Sequence, residues 1–126
     1  METEQTDAMA ISQALKDYYF KGIYEGDISL LNKIYHSGTL LFGDVKGEPY
    51  AKTLAAYLEA VAHRQSPRDS GKPFNSNILG IKVIQSIAVA ELKVKMYEFN
   101  YHEFLSFHKI EEKWLIVNKM MADVNP

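Results

Sequence analysis

The chain contains no cysteine, which removes a thiol nucleophile, a thiolate-held zinc ion and a disulfide framework from consideration. Charge of one sign in excess is lacking too. Fourteen Lys and Arg stand against 16 Asp and Glu, a net of −2, which leaves no basic footprint for nucleic acid. No apolar run approaches the roughly 18 residues of a membrane helix. The stretch from Met1 to Ala10 is acidic and polar, unlike a secretory signal, so the expected compartment is the cytoplasm. Disorder is excluded as well, because 47% of the residues are hydrophobic and the charges nearly balance. The 126 residues fit one domain over 1–126, with 1–6 read as a flexible tail.

The first half carries helical periodicity. Ile11, Leu15, Tyr18, Tyr19, Gly22 and Ile23 recur at three- and four-residue steps between Asp7 and Glu25. Gly22 falls on that stripe, where the missing side chain allows close packing, and Gly26 suits a left-handed C-cap. Asp27 then caps a shorter helix carrying Leu30, Leu31 and Ile34, which fades over Tyr35–Gly38. Thr39–Phe42 reads as a short strand and 43–47 as a turn. Pro49 suits the first turn of a third helix over Tyr50–His63, and Arg64–Pro73 forms a surface loop.

The second half alternates. Asn77–Ser86, Ile87–Phe99, Tyr101–Ile110 and Trp114–Met121 read as strands, the last two joined by a turn at Glu111–Lys113. In Ile87–Phe99, Ala88, Ala90, Leu92, Val94 and Met96 lie on one side, and Glu91, Lys93 and Lys95 on the other, which is one buried and one wet face. Helices followed by long antiparallel strands give an α+β class. The expected architecture packs three N-terminal helices in the concavity of a strongly curved, mostly antiparallel sheet, a cone with an open mouth.

Two stretches carry a family resemblance. Gly22-Ile23-Tyr24-Glu25-Gly26-Asp27, followed by Leu30-Leu31 and Tyr35-His36, resembles the helical corner of the nuclear transport factor 2-like superfamily. The stretch from Glu103 to Lys119, with Lys109-Ile110 and Trp114-Leu115-Ile116-Val117-Asn118-Lys119, resembles the closing hairpin of its putative lumazine-binding branch. The resemblance runs from about Asp7 to Met121. It implies a cone-shaped α+β barrel, a homodimer through the outer sheet face and a flavin-type ligand. It leaves function open, because this superfold hosts isomerases, dehydratases, cyclases and scaffolds.

The isomerase-type site of this superfamily combines a helix tyrosine, a carboxylate base and a protonated acid on an inner strand. Counting from Asp27 places the tyrosine at Tyr19, the base at Gly43 with Asp44 next to it, and the acid at Ser106. A one-residue slip on a strand reverses the face, so Asp44 serves only if a bulge intervenes. His36 reads either as a helix C-terminal cap or as a proton shuttle at the cone mouth. His102 and His108 share a face but lie about 20 Å apart by strand rise, and His63 is a solvated cap, so no metal site is expected. No motif calls for a cofactor.

The resemblance places Phe104 and Ser106 inward, accompanied by Trp114, Ile116, Asn118 and Met120 on the last strand and by Val94 and Met96. Tyr18, Tyr19, Phe42 and Tyr57 close the cone from the helices. Such an apolar, aromatic lining suits a flat hydrophobic ligand, whereas the same residues could simply fill a core. Leu105 and Phe107 then face outward and call for a partner, most economically a second copy. Three readings follow: a dimeric small-molecule-binding cone; an isomerase, dehydratase or cyclase using Tyr19, His36 and Asp44; and a structural or protein-interaction module.

Overall fold

The structure, a computed structural model, describes residues 2–125. Helix α1 (Glu2–Ala14) passes through a π-helical turn (Leu15–Phe20) into α2 (Lys21–Glu25), and α3 (Ile28–Ile34) follows. Strands β1 (Tyr35–Val45) and β2 (Glu48–Thr53) form a hairpin, succeeded by α4 (Leu54–His63) and α5 (Pro67–Ser70). The chain closes with β3 (Asn75–Ile84), β4 (Ile87–Met96), β5 (Phe99–Ile110) and β6 (Lys113–Asp123). The six strands form one sheet in the order β2-β1-β6-β5-β4-β3. All pairs are antiparallel except β1 with β6, the join between the two halves of the chain. This is the expected α+β cone.

The helical corner follows from local chemistry. Gly26 takes a left-handed φ of 69°, and the Asp27 carboxylate accepts from the backbone N–H of Ser29 and Leu30 at 3.0 and 3.2 Å. A Cβ on Gly22 would lie 2.9 Å from the Leu31 side chain, so glycine lets the two helices close on each other. The first helix is tied to the closing hairpin by Asp7. Its carboxylate accepts from the Trp114 indole at 3.1 Å and from Lys109 Nζ at 3.2 Å. Those bonds hold the Asp7 carboxyl below its ordinary range, the indole contributing most, against the opposing effect of burial.

Several expected boundaries differ. Residues 2–6 extend α1 rather than forming a tail; Met1 lies outside the described residues. Tyr35–Gly38 belongs to β1 because Tyr35 already pairs with Ile116 on β6. A register shift between Tyr35 and Leu40 follows, where the Thr39 hydroxyl lies 2.6 Å from both the His36 and Ile116 carbonyl oxygens. Tyr50 and Pro49 lie in an edge strand, where a missing N–H is tolerated, and α4 starts later, capped by the Thr53 hydroxyl on Ala56 N–H at 3.2 Å. Pairing with β1 overrode the helical reading there. No described helix is long and apolar enough to cross a membrane.

The buried side chains form one core inside the cone, with Ile11, Leu15, Tyr19, Ile23, Leu31 and Ile34 from the helices. Leu41, Ala90, Leu92, Val94, Leu105, Phe107 and Ile116 meet them from the sheet. The clean alternation expected for β4 is present, with Ala88, Ala90, Leu92, Val94 and Met96 all buried. Strand β5 carries the opposite parity from that expected. Glu103, Leu105 and Phe107 are buried, whereas Phe104 is 50% exposed. The cause is register: Leu92 pairs with Glu103 and Ala90 with Leu105, and directly paired residues share a face.

Gly43 marks the tightest point of the sheet. Its φ is 156°, and a Cβ there would lie 1.7 Å from the Met121 carbonyl oxygen. Gly43→Ala is therefore expected to lower the unfolding free energy by about 3 kcal/mol or more, read by urea denaturation. Glycine and alanine chains of equal stability would show that β1 and β6 do not approach this closely.

Candidate functional site

The π-helical turn rotates Tyr18, Tyr19 and Phe20 relative to the flanking α-helices, and π-turns recur at functional positions. Tyr19 is thereby fully buried at the centre of the cone. Its ring meets Phe20 and Tyr35 edge-on at 5.6 and 6.2 Å, and Tyr35 meets Tyr57 at 6.0 Å. Helix, first strand and α4 thus each contribute one ring to an aromatic wall.

Opposite that wall, the sheet delivers two charges. Tyr19 O–H donates to Glu103 Oε1 at 2.5 Å, and Lys119 Nζ lies 3.6 Å from Glu103 Oε2. Glu103 is 1% and Lys119 3% exposed. The ammonium lies 5.3 and 5.2 Å from the ring centres of Tyr19 and Tyr57, within cation–π range. Burial, the largest single influence, works against a charged Lys119, but Glu103 together with Tyr57 and Tyr50 offsets it and lifts the amine above its ordinary value. Burial first, and then the negative charge of Glu103, push the Tyr19 phenol well up. Burial first, and then the neighbouring Tyr57 and Glu103, also push the Tyr35 phenol up. The interior thus brings a hydrogen-bonded Tyr19–Glu103 pair together with the Lys119 ammonium.

A second cation lies toward one end of the cone. Arg64 follows α4, its backbone N–H donating to Ala60 O at 3.0 Å. Its guanidinium stacks 5.7 Å from the Tyr97 ring centre, and the Tyr97 hydroxyl donates to the Gln65 carbonyl. Tyr97 turns from β4 to β5 with a φ of 53°, which a bulky side chain rarely adopts. Burial raises the phenols of Tyr50, Tyr97 and Tyr101, and the Arg64 charge opposes it at all three. Arg64 Nε and Nη2 are buried with no hydrogen-bond partner.

Only part of the expected lining shares this interior. Tyr19, Tyr57, Met96, Trp114 and Ile116 are buried there, and Tyr18 is half-buried beside a surface hollow that also borders Trp114. Phe42, Phe104 and Met120 are instead exposed on the outer face, where Ser106 pairs with Asn118. A register shift between Ser106 and Phe107 explains the split. Phe107 pairs with Ile116 and Ser106 with Asn118, so β6 carries one extra residue and changes parity at Val117. Lys119 rather than Asn118 therefore points inward.

The remaining candidates do not converge. His36 is exposed on β1, its Nδ1 accepting from Gly38 N–H at 2.9 Å, and Asp44 is exposed on the same strand. No bulge turns Asp44 inward, because Gly43 keeps the inner position against Met121. His102 Nε2 lies 2.7 Å from Glu91 Oε2 on the outer face. Among the described residues, no set of three or more His, Asp and Glu is gathered as a metal site.

Glu103, Lys119, Tyr35 and Arg64 were not foreseen as site residues. The signal for Glu103 lies in the two-residue turn Tyr97-Glu98. Counting back from it sets Glu103 opposite Leu92 on the clearly alternating strand. Lys119 left no such signal, since a bulge does not show in alternation.

The model of the putative lumazine-binding family matches residues 6–122, so the chain belongs to that family. A nuclear transport factor 2-like protein of unknown function from Shewanella baltica OS155 is 20% identical, with 96% of each chain covered and a TM-score of 0.82. One from Silicibacter pomeroyi DSS-3 is 18% identical, covering 95% of this chain and 98% of its own, with a TM-score of 0.84. One from Methylobacillus flagellatus KT is 18% identical, covering 95% and 94%, with a TM-score of 0.82. At these identities the structures establish the nuclear transport factor 2-like fold. No curated protein matches.

Removing one member of the buried pair strands the other charge. Lys119→Met is expected to cost about 3–5 kcal/mol, and Glu103→Gln a similar amount. The double variant should recover a large part of that loss in a urea-denaturation cycle. Additive single losses would show that the two charges do not depend on each other.

Proposed function

We propose that this member of the putative lumazine-binding family is a small-molecule-binding protein that takes a flat aromatic ligand into its cone. The observation that carries this reading is unused hydrogen-bonding capacity in a ring-lined interior. Two Arg64 donors are buried without partners, and the interior also holds the Tyr19, Glu103 and Lys119 contact. A pure core rarely leaves such groups unsatisfied, since each costs about 1–3 kcal/mol. Aromatic walls with a few fixed polar groups suit a planar heteroaromatic ring.

Acid–base chemistry of the isomerase, dehydratase or cyclase kind is a second reading, favoured by one contact. Tyr19 donates to Glu103 at 2.5 Å, and this pair replaces His36 and Asp44 as the groups that would handle a proton.

Dimerisation through the outer sheet face completes the proposal. Leu40, Phe42, Val89, Phe104 and Met120 are all exposed there. Register aligns Phe42, Met120 and Phe104 in one row across β1, β6 and β5. A 560 Å³ hollow bordered by Ile84, Ile87, Val89 and Val117 continues that apolar surface. So large an exposed apolar area marks an interface, and it falls to Phe104 and Met120 rather than to Leu105 and Phe107.

Two measurements test this. Lumazine and 2-naphthol, titrated against the intact chain, are expected to raise its melting temperature. Saturation at a hundredfold excess over Kd corresponds to about 2.7 kcal/mol, roughly 10 °C for a chain of this size. No shift with either compound, and no small molecule released on denaturing protein purified from its host, would defeat the binding reading. Light scattering should give twice the 14.4 kDa chain mass, and Phe104→Lys with Met120→Lys should halve it. A wild-type mass of one chain at micromolar concentration would defeat the dimer.

A further inference from the structure

We infer that Arg64 is the anchor for a ligand carboxylate, so that the bound molecule is an aromatic carboxylic acid held as its anion. The inference rests on the binding reading above and names the ligand's chemical class.

The two unpartnered atoms of Arg64 are Nε and Nη2. In a guanidinium these carry the two parallel N–H bonds of one edge, the edge that receives both oxygens of a carboxylate side by side. Both donors of that edge are out of water, and no group of the protein accepts from either. A desolvated cation without a partner is among the costliest arrangements a fold can keep.

The surrounding charge points the same way. Lys119 has Glu103 as its partner at 3.6 Å, and Glu103 is also occupied by the Tyr19 hydroxyl. Among the described residues no group accepts from the Arg64 Nε and Nη2 edge, so that edge is free for an anion. The guanidinium plane is held in place for that anion. It stacks 5.7 Å from the Tyr97 ring centre, whose hydroxyl is fixed on the Gln65 carbonyl. Tyr97 holds this position in the β4–β5 turn, with a φ of 53°. The phenols of Tyr50, Tyr97 and Tyr101 lie close enough to feel the charge of Arg64.

The test compares 2-naphthoate with 2-naphthamide, a neutral analogue of the same shape, and with 2-naphthyl phosphate. Each is titrated against the intact chain by calorimetry, with the Arg64 Nε–H resonance followed by NMR. The acid is expected to bind at least about tenfold more tightly than the amide, because a bidentate charge-assisted pair is lost with the amide. Only the acid should move the Arg64 resonance. Arg64→Lys keeps the charge but loses the fork, and should abolish the preference by weakening the acid far more than the amide. Equal affinity for acid and amide would overturn the carboxylate inference and leave the binding reading intact. Absence of binding by all three compounds would overturn both. Tighter binding of the phosphate would overturn the ligand class. If Arg64→Lys fails to fold, an unmoved Arg64 resonance in the wild-type chain on saturation with the acid overturns the inference just the same.

Discussion

The buried contact among Tyr19, Glu103 and Lys119 is the constraint on which the arrangement of the cone depends. It links the first helix to β5 and β6, the two strands nearest the middle of the sheet. An apolar core would tolerate sliding of the helix along the sheet, because dispersion and hydrophobic burial are not directional. A phenol hydrogen-bonded to a carboxylate that is also paired with an ammonium permits only one position. Once Glu103 and Lys119 are both inside, each makes the other tolerable, and neither would be tolerable alone. The π-turn belongs to the same constraint, because it rotates the Tyr19 hydroxyl toward the sheet while its helix keeps Ile11, Leu15 and Ile23 in the core.

Much of the architecture was legible in the chain. The Gly26-Asp27 corner was readable because cap and turn chemistry is local: one left-handed glycine followed by one carboxylate over free N–H groups. The alternation of β4 was readable because one of its faces is almost wholly aliphatic and the other carries Glu91, Lys93 and Lys95. Tyr19 as a central tyrosine was readable from the helical stripe. By contrast, Tyr35–Gly38 and Tyr50–Thr53 look locally like helix and became strand through pairing with β6 and β1. Those partners are distant in sequence, and propensity does not see them.

The inner lining was misread for a sharper reason. Strand β5 has apolar residues on both faces, Phe104 on one and Leu105 and Phe107 on the other, so hydrophobicity alone does not choose between them. The deciding information is the register imposed by the Tyr97-Glu98 turn, which puts Glu103 opposite Leu92. A glutamate in the core runs against every burial preference, and only its partners make it possible. Those partners depend on the bulge after Ser106, which changes the parity of β6 and brings Lys119 inside. The error at Phe104 and the omission of Lys119 therefore have separate causes, the β4–β5 register for the first and the bulge in β6 for the second.

That shift also connects the two sides of the sheet. With one residue fewer in β6, Lys119 would turn outward and Asn118 or Met120 would turn inward. The interior would lose its ammonium, and the row Phe42, Met120 and Phe104 on the outer face would be broken. A single extra residue thus sets the polar character of the cone interior and the apolar character of its exterior together. This coupling explains why the exposed apolar row and the buried ion pair occur in the same two strands. It also explains why the interior of the cone is not wholly apolar. Its aromatic walls enclose charges whose requirements the protein meets for Glu103 and Lys119 and leaves unmet at Arg64.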